Sequence, residues 1–260
     1  MAKLDGTIQF TGSLQNLSFY KMRGSDKIII RKKGGPTSKQ VKKGKNFENT
    51  RRNNTEFGGR ALAAAEIKGY LHPLLFLADY NILGPLNALL RAIQKMDVTS
   101  GWGKRHVLLT KQPKLLEGFN LNRRHLFETI VRTPVNCSLH GEQVHINLPA
   151  LMPGINFMAP ASYPYYRFIG TAGLVPDIYY NEHGYRENDD EKWHFDYKES
   201  DWQPVNAPAP AQTLTLNGMP EEKPNDCSIM VALGIAFGKV KGDTIVPEKY
   251  VGAAKVLMVV

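Results

Sequence analysis

The chain has 260 residues with a formal net charge of +9, and 42% of its residues are hydrophobic. This composition excludes an intrinsically disordered protein, because a chain of this length can bury a sizeable core. Two cysteines, Cys137 and Cys227, are too few for a disulfide scaffold. No apolar signal region and no membrane span are visible, so we expect a cytoplasmic protein. Release inside an assembled particle is also compatible with this composition.

The charge is distributed unequally along the chain. Residues 1–60, the basic head, hold 14 Lys and Arg against 4 acidic residues. Residues 61–132 hold 10 against 5, whereas residues 133–260, the acidic tail, hold 9 against 15. This polarity predicts two binding surfaces of opposite charge.

The basic head is predicted to be a strand-and-arm segment. Alternating side chains at 7–10, and apolar residues at 17–19 and 27–33, indicate short strands. The stretch 32–45 is rich in lysine and is broken by Gly34-Gly35-Pro36, which is typical of a loop. Apolar and basic residues at helical spacing over 47–57 indicate a short helix after this loop.

Residues 61–125 are predicted to form a helical region. Ala61–Ala65 has high helix propensity, and Pro73 suits the first position of a further helix. Gly84-Pro85 is expected to interrupt the helices, and a second apolar stripe follows over 86–96. The pattern over 98–125 is ambiguous and does not indicate one type of secondary structure.

Residues 126–260 are predicted to form a β-rich domain. Apolar and polar residues alternate over 144–148 and 213–216. Two apolar runs, 228–237 and 250–260, are separated by a Gly-Asp turn signal at 242–243. Several short strands between turns favour an antiparallel β-sandwich, of which an immunoglobulin-like sandwich is one option. The predicted fold class is therefore α+β.

The basic head is the first candidate site, because lysine and arginine side chains on an open loop can neutralise phosphates. Asn53 and Asn54 add hydrogen-bonding groups for phosphates or base edges. Two alternatives remain open: a solvated arm that improves solubility, and an arm that docks on an acidic protein surface. The candidate nucleic-acid or partner-binding residues are Lys32, Lys33, Lys39, Lys42, Lys43, Lys45, Arg51 and Arg52.

The second candidate site is an acidic, aromatic stretch over residues 157–202. Carboxylates beside tyrosine and tryptophan rings are suited to a sugar, a cationic peptide or a partner subunit. We favour a subunit contact over a ligand site, because interfaces are enriched in these aromatic residues. The candidate interface residues are Tyr185, Asp189, Asp190, Trp193 and Trp202.

No motif for catalysis, metal binding or a cofactor is found in the sequence. Glu182, His183, His194 and Asp196 fit no closed metal motif. His140 and His145 are five residues apart, so they diverge on a helix and oppose each other on a strand. We therefore expect no metal site, no cofactor and no catalytic residue, and a non-enzymatic role is favoured. Both cysteines are expected to be packing residues.

The head also carries a set of short motifs. These are Gly6-x-Ile8-x-x-x-Gly12-x-Leu14, Tyr20-Lys21-Met22-Arg23-Gly24, Pro36-Thr37-x-x-Gln40, and Arg51 with Phe57. This pattern resembles a family of small uncharacterised proteins common in Bacteroidetes genomes. The resemblance covers roughly residues 6–60 and implies a bacterial or mobile-element source. That family has no assigned activity, so the resemblance implies no catalytic residue.

Three functions are compatible with these features. The first is a structural or assembly protein, a homo-oligomer or partner of another protein, whose basic head meets an acidic tail. The second is a nucleic-acid-binding protein that uses the basic head. The third is a carbohydrate-binding or hydrolytic β-sandwich that uses the acidic, aromatic stretch.

Overall fold

A computed structural model of the chain describes residues 2–4, 10–21, 27–160, 162–187 and 194–260. The chain divides into two compact units, Met1–Arg51 and Arg52–Val260. The division falls near the start of the long helix Glu48–Tyr70, and the sequence-based boundary at residue 60 lies within this helix.

The first unit contains a four-stranded antiparallel sheet and a short helix. The strands, β1 (Ala2–Leu4), β2 (Gly12–Leu14), β3 (Leu17–Lys21) and β4 (Ile28–Lys32), are ordered β1-β4-β3-β2. The predicted strands around 17–19 and 27–33 are thus confirmed, whereas residues 7–9 lie outside the described residues. Helix α1 (Ser38–Lys43) begins with a capping box. The Thr37 side chain accepts a hydrogen bond from the Gln40 backbone amide, and the Gln40 side chain accepts one from the Thr37 backbone amide.

The further helices come from residues 48–130, and all of them beyond Arg51 lie in the second unit. They are α2 (Glu48–Tyr70), α3 (Leu83–Lys95) and α4 (Phe127–Ile130), with 3₁₀ turns at His72–Leu77, Leu109–Lys111 and Pro113–Leu115. The prediction that Gly84-Pro85 interrupts the helices is wrong, because both residues lie within the first turn of α3. A proline there removes an N–H that has no helical partner in any case.

The remaining strands form two larger sheets and a small hairpin. They are β5 (Asn136–His140), β6 (Gln143–Leu148), β7 (Tyr165–Pro176), β8 (Tyr179–Asn181), β9 (Gly184–Arg186), β10 (Phe195–Glu199), β11 (Gln203–Pro204), β12 (Gln212–Leu216), β13 (Cys227–Lys241) and β14 (Thr244–Val259). The larger sheet has the order β10-β7-β13-β14, with β11 beside β7, and the smaller sheet has the order β12-β6-β5. Strands β8 and β9 pair with each other.

The larger sheet is buried on both faces. Ile229, Val231 and Leu233 of β13 belong to one core cluster with the smaller sheet. The intervening Met230 and Ala232 belong to a second cluster with the helices. Alternate side chains of a strand point to opposite faces, so the apolar run over 228–237 fills two cores. The α+β class is confirmed, and the predicted helical region shares a core with the β-rich domain.

Glycines in the larger sheet allow the helical layer to approach closely. A Cβ at Gly173 of β7 would lie 2.0 Å from the Tyr70 ring. A Cβ at Gly234 of β13 would lie 2.7 Å from Leu74. Tyr70, at the end of α2, and Leu74, in the following 3₁₀ turn, thereby pack directly on the sheet. Among the helices that the structure describes, none combines the length and apolar composition that a bilayer crossing requires.

Candidate functional site

An open cleft of about 650 Å³ lies on the surface of the second unit. It is bordered by the start of α2, the end of α3 and the loop over residues 97–106. Its volume is in the range typical of ligand sites in proteins. The lining residues are Asn53, Asn54, Glu56, Phe57, Arg60, Arg91, Lys95, Trp102 and Arg105.

Helical periodicity places most of these side chains in the cleft. Asn53, Glu56 and Arg60 are spaced three and four residues apart, so they share one face of α2. Arg91 and Lys95 are one turn apart at the end of α3. The opposite side of α3 carries the apolar stripe of Leu86, Leu90 and Ile93, which is buried in the core. Packing of this stripe therefore directs the basic side chains of α3 to solvent.

Asp97 holds the loop that completes the cleft. Its Oδ1 accepts hydrogen bonds from the Thr99 amide at 2.9 Å and the Thr99 hydroxyl at 2.6 Å. Its Oδ2 accepts one from the His106 amide at 2.7 Å, which closes the loop. Burial would raise the pKa of Asp97, but these hydrogen bonds outweigh burial and lower the pKa to about 2. The ionised carboxylate of Asp97 thus joins the two ends of the loop.

Glu56 is the single carboxylate among the lining residues, and its charge is paired. Its oxygens accept hydrogen bonds from Nε and Nη2 of Arg105 at 2.6 and 2.7 Å. The Gly103 amide donates to it as well, at 2.9 Å. Burial alone would raise the pKa of Glu56, yet the bonds from Arg105 and Gly103 hold it below its ordinary value. The remaining cations of the cleft therefore dominate its potential.

Arg60 is the most buried cation of the cleft, with 9% of its surface exposed. Its Nη1 donates to Oε1 of Gln94 at 2.5 Å. Gln94 is itself fixed, because its Nε2 donates to the Arg105 carbonyl at 2.8 Å. Within the described part of the chain, Nε of Arg60 is buried without a hydrogen-bond partner. Burial, reinforced by Arg91, lowers the pKa of Arg60, whereas Glu56 opposes this change.

The rim of the cleft combines exposed cations with exposed aromatic rings. Arg91 and Lys95 are exposed, and among the described residues no carboxylate forms an ion pair with either. Trp102 is 43% exposed and Phe57 is 53% exposed. The Arg52 guanidinium lies over the Trp102 ring, 5.4 Å from its centroid. Such a surface suits an anion that also carries planar, stackable groups.

The candidate residues of the basic head have two different environments. All six lysines, at 32, 33, 39, 42, 43 and 45, are exposed. Arg51 instead donates to the carbonyls of Val41 and Gly44, both at 2.8 Å, at the end of α1. Arg52 stacks on Trp102 beside the cleft. Asn53 and Asn54, which the sequence suggested as hydrogen-bonding groups, line the cleft.

Of the candidate residues in the acidic, aromatic stretch, the structure describes Tyr185 and Trp202. Asp189, Asp190 and Trp193 lie outside the described residues. Tyr185 packs against Gly59 of α2, and its hydroxyl donates to the Arg105 carbonyl at 2.8 Å. The Trp202 ring lies 4.7 Å from the Arg167 guanidinium carbon. Both described aromatic residues of this set therefore have intramolecular partners.

Among the acidic residues of the stretch, several bind groups within the chain. Asp177 is buried and accepts hydrogen bonds from the amide and the hydroxyl of Thr110. Burial raises the pKa of Asp177, partly offset by these bonds. Asp196 accepts from the Asn217 amide at 2.7 Å, and Glu199 pairs with Arg167. These three carboxylates therefore have partners within the second unit.

The histidines and cysteines form no metal-binding cluster among the described residues. His140 and His145 lie on paired strands, β5 and β6, with their rings 5.3 Å apart. This differs from the prediction of opposed residues on one strand, because a turn at Gly141-Glu142 separates them. Cys227 is buried, and burial raises the pKa of the half-buried Cys137 to about 12.

No protein-family model, curated protein or solved structure matches this chain. The resemblance of residues 6–60 to Bacteroidetes proteins therefore stays a prediction.

Sequence reasoning missed most of the cleft. Arg60, Arg91, Lys95, Trp102 and Arg105 did not stand out, because the basic residues are separated by up to 45 positions in the chain. The available signals were the excess of 10 basic over 5 acidic residues in 61–132 and the helical spacing of Arg91 and Lys95. The loop over 97–106 has no regular periodicity, so its contribution required the fold.

Proposed function

We propose that this protein binds single-stranded nucleic acid through the cleft between α2, α3 and the loop over 97–106. The observation that carries the proposal is the convergence of Arg60, Arg91 and Lys95 beside the exposed rings of Phe57 and Trp102. Glu56, the one carboxylate among the described residues that line the cleft, is already paired with Arg105. Unpaired cations bind phosphates and release counterions.

The aromatic rings favour a single strand over a duplex. Bases of a single strand are free to stack on aromatic side chains, which contributes about 1–3 kcal/mol per base. In a duplex, the base faces are already stacked on each other. Trp102 has Arg52 over its ring and remains 43% exposed, so part of it is available for a base. Replacement of Trp102 by Ala is expected to weaken single-strand binding about 5- to 100-fold.

The proposal is tested by fluorescence anisotropy with a labelled single strand at several salt concentrations. The variant R91Q/K95Q is expected to bind more weakly and to lower the salt slope by about 1.4, because two phosphate contacts are lost. Both residues are exposed, so the fold is expected to be unchanged. The matched control is R132Q/K198Q, which removes the same charge from exposed positions away from the cleft.

Equal losses in the two double variants would mean that only net charge matters, and the cleft proposal would be abandoned. Absence of any binding at low salt would remove nucleic acid as a ligand altogether. The variant K39Q/K42Q/K43Q examines the basic head separately. If this variant alone abolishes binding, the head and not the cleft is the interface.

Self-association is a second candidate function, and we propose the β13–β14 hairpin as its site. Strand β14 is at the edge of the larger sheet, and the distal half of the hairpin exposes Val240, Val246 and Tyr250. Exposed apolar residues on an edge strand favour pairing with another chain. Charge attraction between a basic head and an acidic tail would supplement this contact.

The oligomeric state tests this second proposal. Light scattering after size exclusion is expected to give a mass above that of the 29.1 kDa monomer at high protein concentration. The variant V240K/V246K is expected to lower that mass by placing charges at the contact. A monomer at every salt and protein concentration would end the assembly proposal.

A further inference from the structure

Arg60 differs from the other cations of the cleft in its depth. Arg91 and Lys95 are exposed, whereas Arg60 has lost nine-tenths of its surface to burial. Its guanidinium carbon is 5.7 Å from the centroid of the Phe57 ring. A ligand group that reaches Arg60 must therefore enter past the rim, while a chain that crosses the cleft meets Arg91 and Lys95 first.

The guanidinium of Arg60 is held in place before any ligand binds. Gln94 accepts from its Nη1, and Gln94 in turn donates to the Arg105 carbonyl and to the Tyr185 hydroxyl, the latter at 3.3 Å. The nearby carboxylate of Glu56 is occupied by Arg105 and the Gly103 amide. This arrangement leaves the buried Nε of Arg60 without a partner among the described residues. A buried charged group whose donors are not all paired is costly, so an anion at the part of Arg60 that lines the cleft is favoured.

Because Arg60 is recessed in the cleft, it favours a terminal phosphate over an internal phosphodiester. An internal phosphodiester carries one charge, and two ester bonds must lead the strand away from it. A terminal phosphate carries about −1.5 to −2 charges at pH 7, three unesterified oxygens and a single ester connection. It can therefore enter a recess that a continuous strand must cross, and its higher charge suits the recessed guanidinium of Arg60.

We infer that the cleft binds the phosphorylated end of a single nucleic-acid strand, with the terminal phosphate on Arg60 and the neighbouring base on Trp102. This inference rests on the proposed binding of nucleic acid. It adds a substrate class: strand ends that carry a phosphate, in preference to internal segments and to unphosphorylated ends.

The test compares three labelled 12-mers of one sequence: 5′-phosphorylated, 3′-phosphorylated and unphosphorylated. We expect the wild-type protein to bind one of the phosphorylated strands roughly tenfold more tightly than the unphosphorylated strand. The variant R60K is expected to lose this preference, because lysine keeps the charge but lacks the guanidinium donors. It should lose more affinity for the phosphorylated strand than for the unphosphorylated strand, whereas R91Q should weaken both strands equally.

Competition on the wild-type protein provides a second measurement that needs no variant of the buried arginine. A nucleoside monophosphate is expected to displace the phosphorylated strand, and the corresponding nucleoside is not. A monophosphate that binds as tightly as the strand would assign the site to free nucleotides and overturn the strand-end inference. Equal affinity for all three 12-mers would also overturn it while leaving the proposed function intact. Failure of every strand to bind would overturn both.

Discussion

Single side chains in the loop over 97–106 link the stability of the second unit to its candidate site. Asp97 is nearly buried and accepts hydrogen bonds from Thr99 and His106. The same loop carries Trp102 and Arg105 into the cleft. A carboxylate that accepts several hydrogen bonds can hold a loop at low cost as long as it is ionised. The geometry of the cleft thus depends on a residue that is not among those lining it.

Replacement of Asp97 by Asn is expected to lower the free energy of unfolding by about 2 kcal/mol at pH 7, because the pKa of Asp97 is lowered from 3.8 to about 2. A lowered folded-state pKa gives stability that is complete above about pH 4 and is lost as the pH falls toward 2. The difference between wild type and variant should therefore disappear near pH 2. Urea unfolding followed by circular dichroism at several pH values measures it.

The exposed Asp201 provides the matched control, because D201N removes the same charge. This variant is expected to unfold like the wild type at pH 7. If D97N is as stable as the wild type at pH 7, Asp97 does not anchor the loop.

At the scale of elements, α2 is positioned by the β8–β9 hairpin through one glycine. Gly58 and Gly59 are adjacent in α2, but their surroundings differ. A Cβ at Gly59 would lie 2.5 Å from the Tyr185 ring, whereas a Cβ at Gly58 would meet nothing within 4 Å. The close contact at Gly59 holds Tyr185 where its hydroxyl reaches the Arg105 carbonyl.

The two glycines give a matched pair of variants. G58A is expected to stabilise the protein by about 1 kcal/mol, because alanine has the higher helix propensity and open space. G59A is expected to destabilise it by about 1–3 kcal/mol, because the ring must move. Thermal and urea unfolding compare the two, and equal stabilisation by both would contradict the close packing of Tyr185 on α2.

Helices and strands could be predicted from the sequence where a single pattern of apolar residues extended over the whole element. The apolar run over 228–237 and the Gly-Asp signal at 242–243 predicted β13, β14 and the turn between them, and these are confirmed. Helix α2 is much longer than the helix predicted over 47–57, because burial of Ala63, Ala64 and Ile67 extends it. The cleft could not be predicted, since it depends on how α2, α3 and an aperiodic loop meet in space.

At the scale of the whole molecule, the core clusters formed by the described residues belong to one of the two units. Both core clusters draw their residues from Ala63 to Val259. In the first unit, the described residues with buried apolar side chains are Phe19, Ile28 and Ile29. Units with so few buried side chains are marginally stable, because hydrophobic burial scarcely offsets the loss of conformational entropy.

Hydrogen exchange of the intact chain is therefore expected to separate the two units. Amides of β7 and β13 lie in the centre of the larger sheet and should exchange only through global unfolding. Amides of β3 and β4 should exchange at least about 100-fold faster, because local opening of the first unit exposes few apolar groups. A chain of residues 45–260 should keep the slow exchange of β7 and β13 unchanged, since it retains every residue of both core clusters. Equal protection of all four strands, or faster exchange of β13 in the shortened chain, would mean that the two units unfold as one.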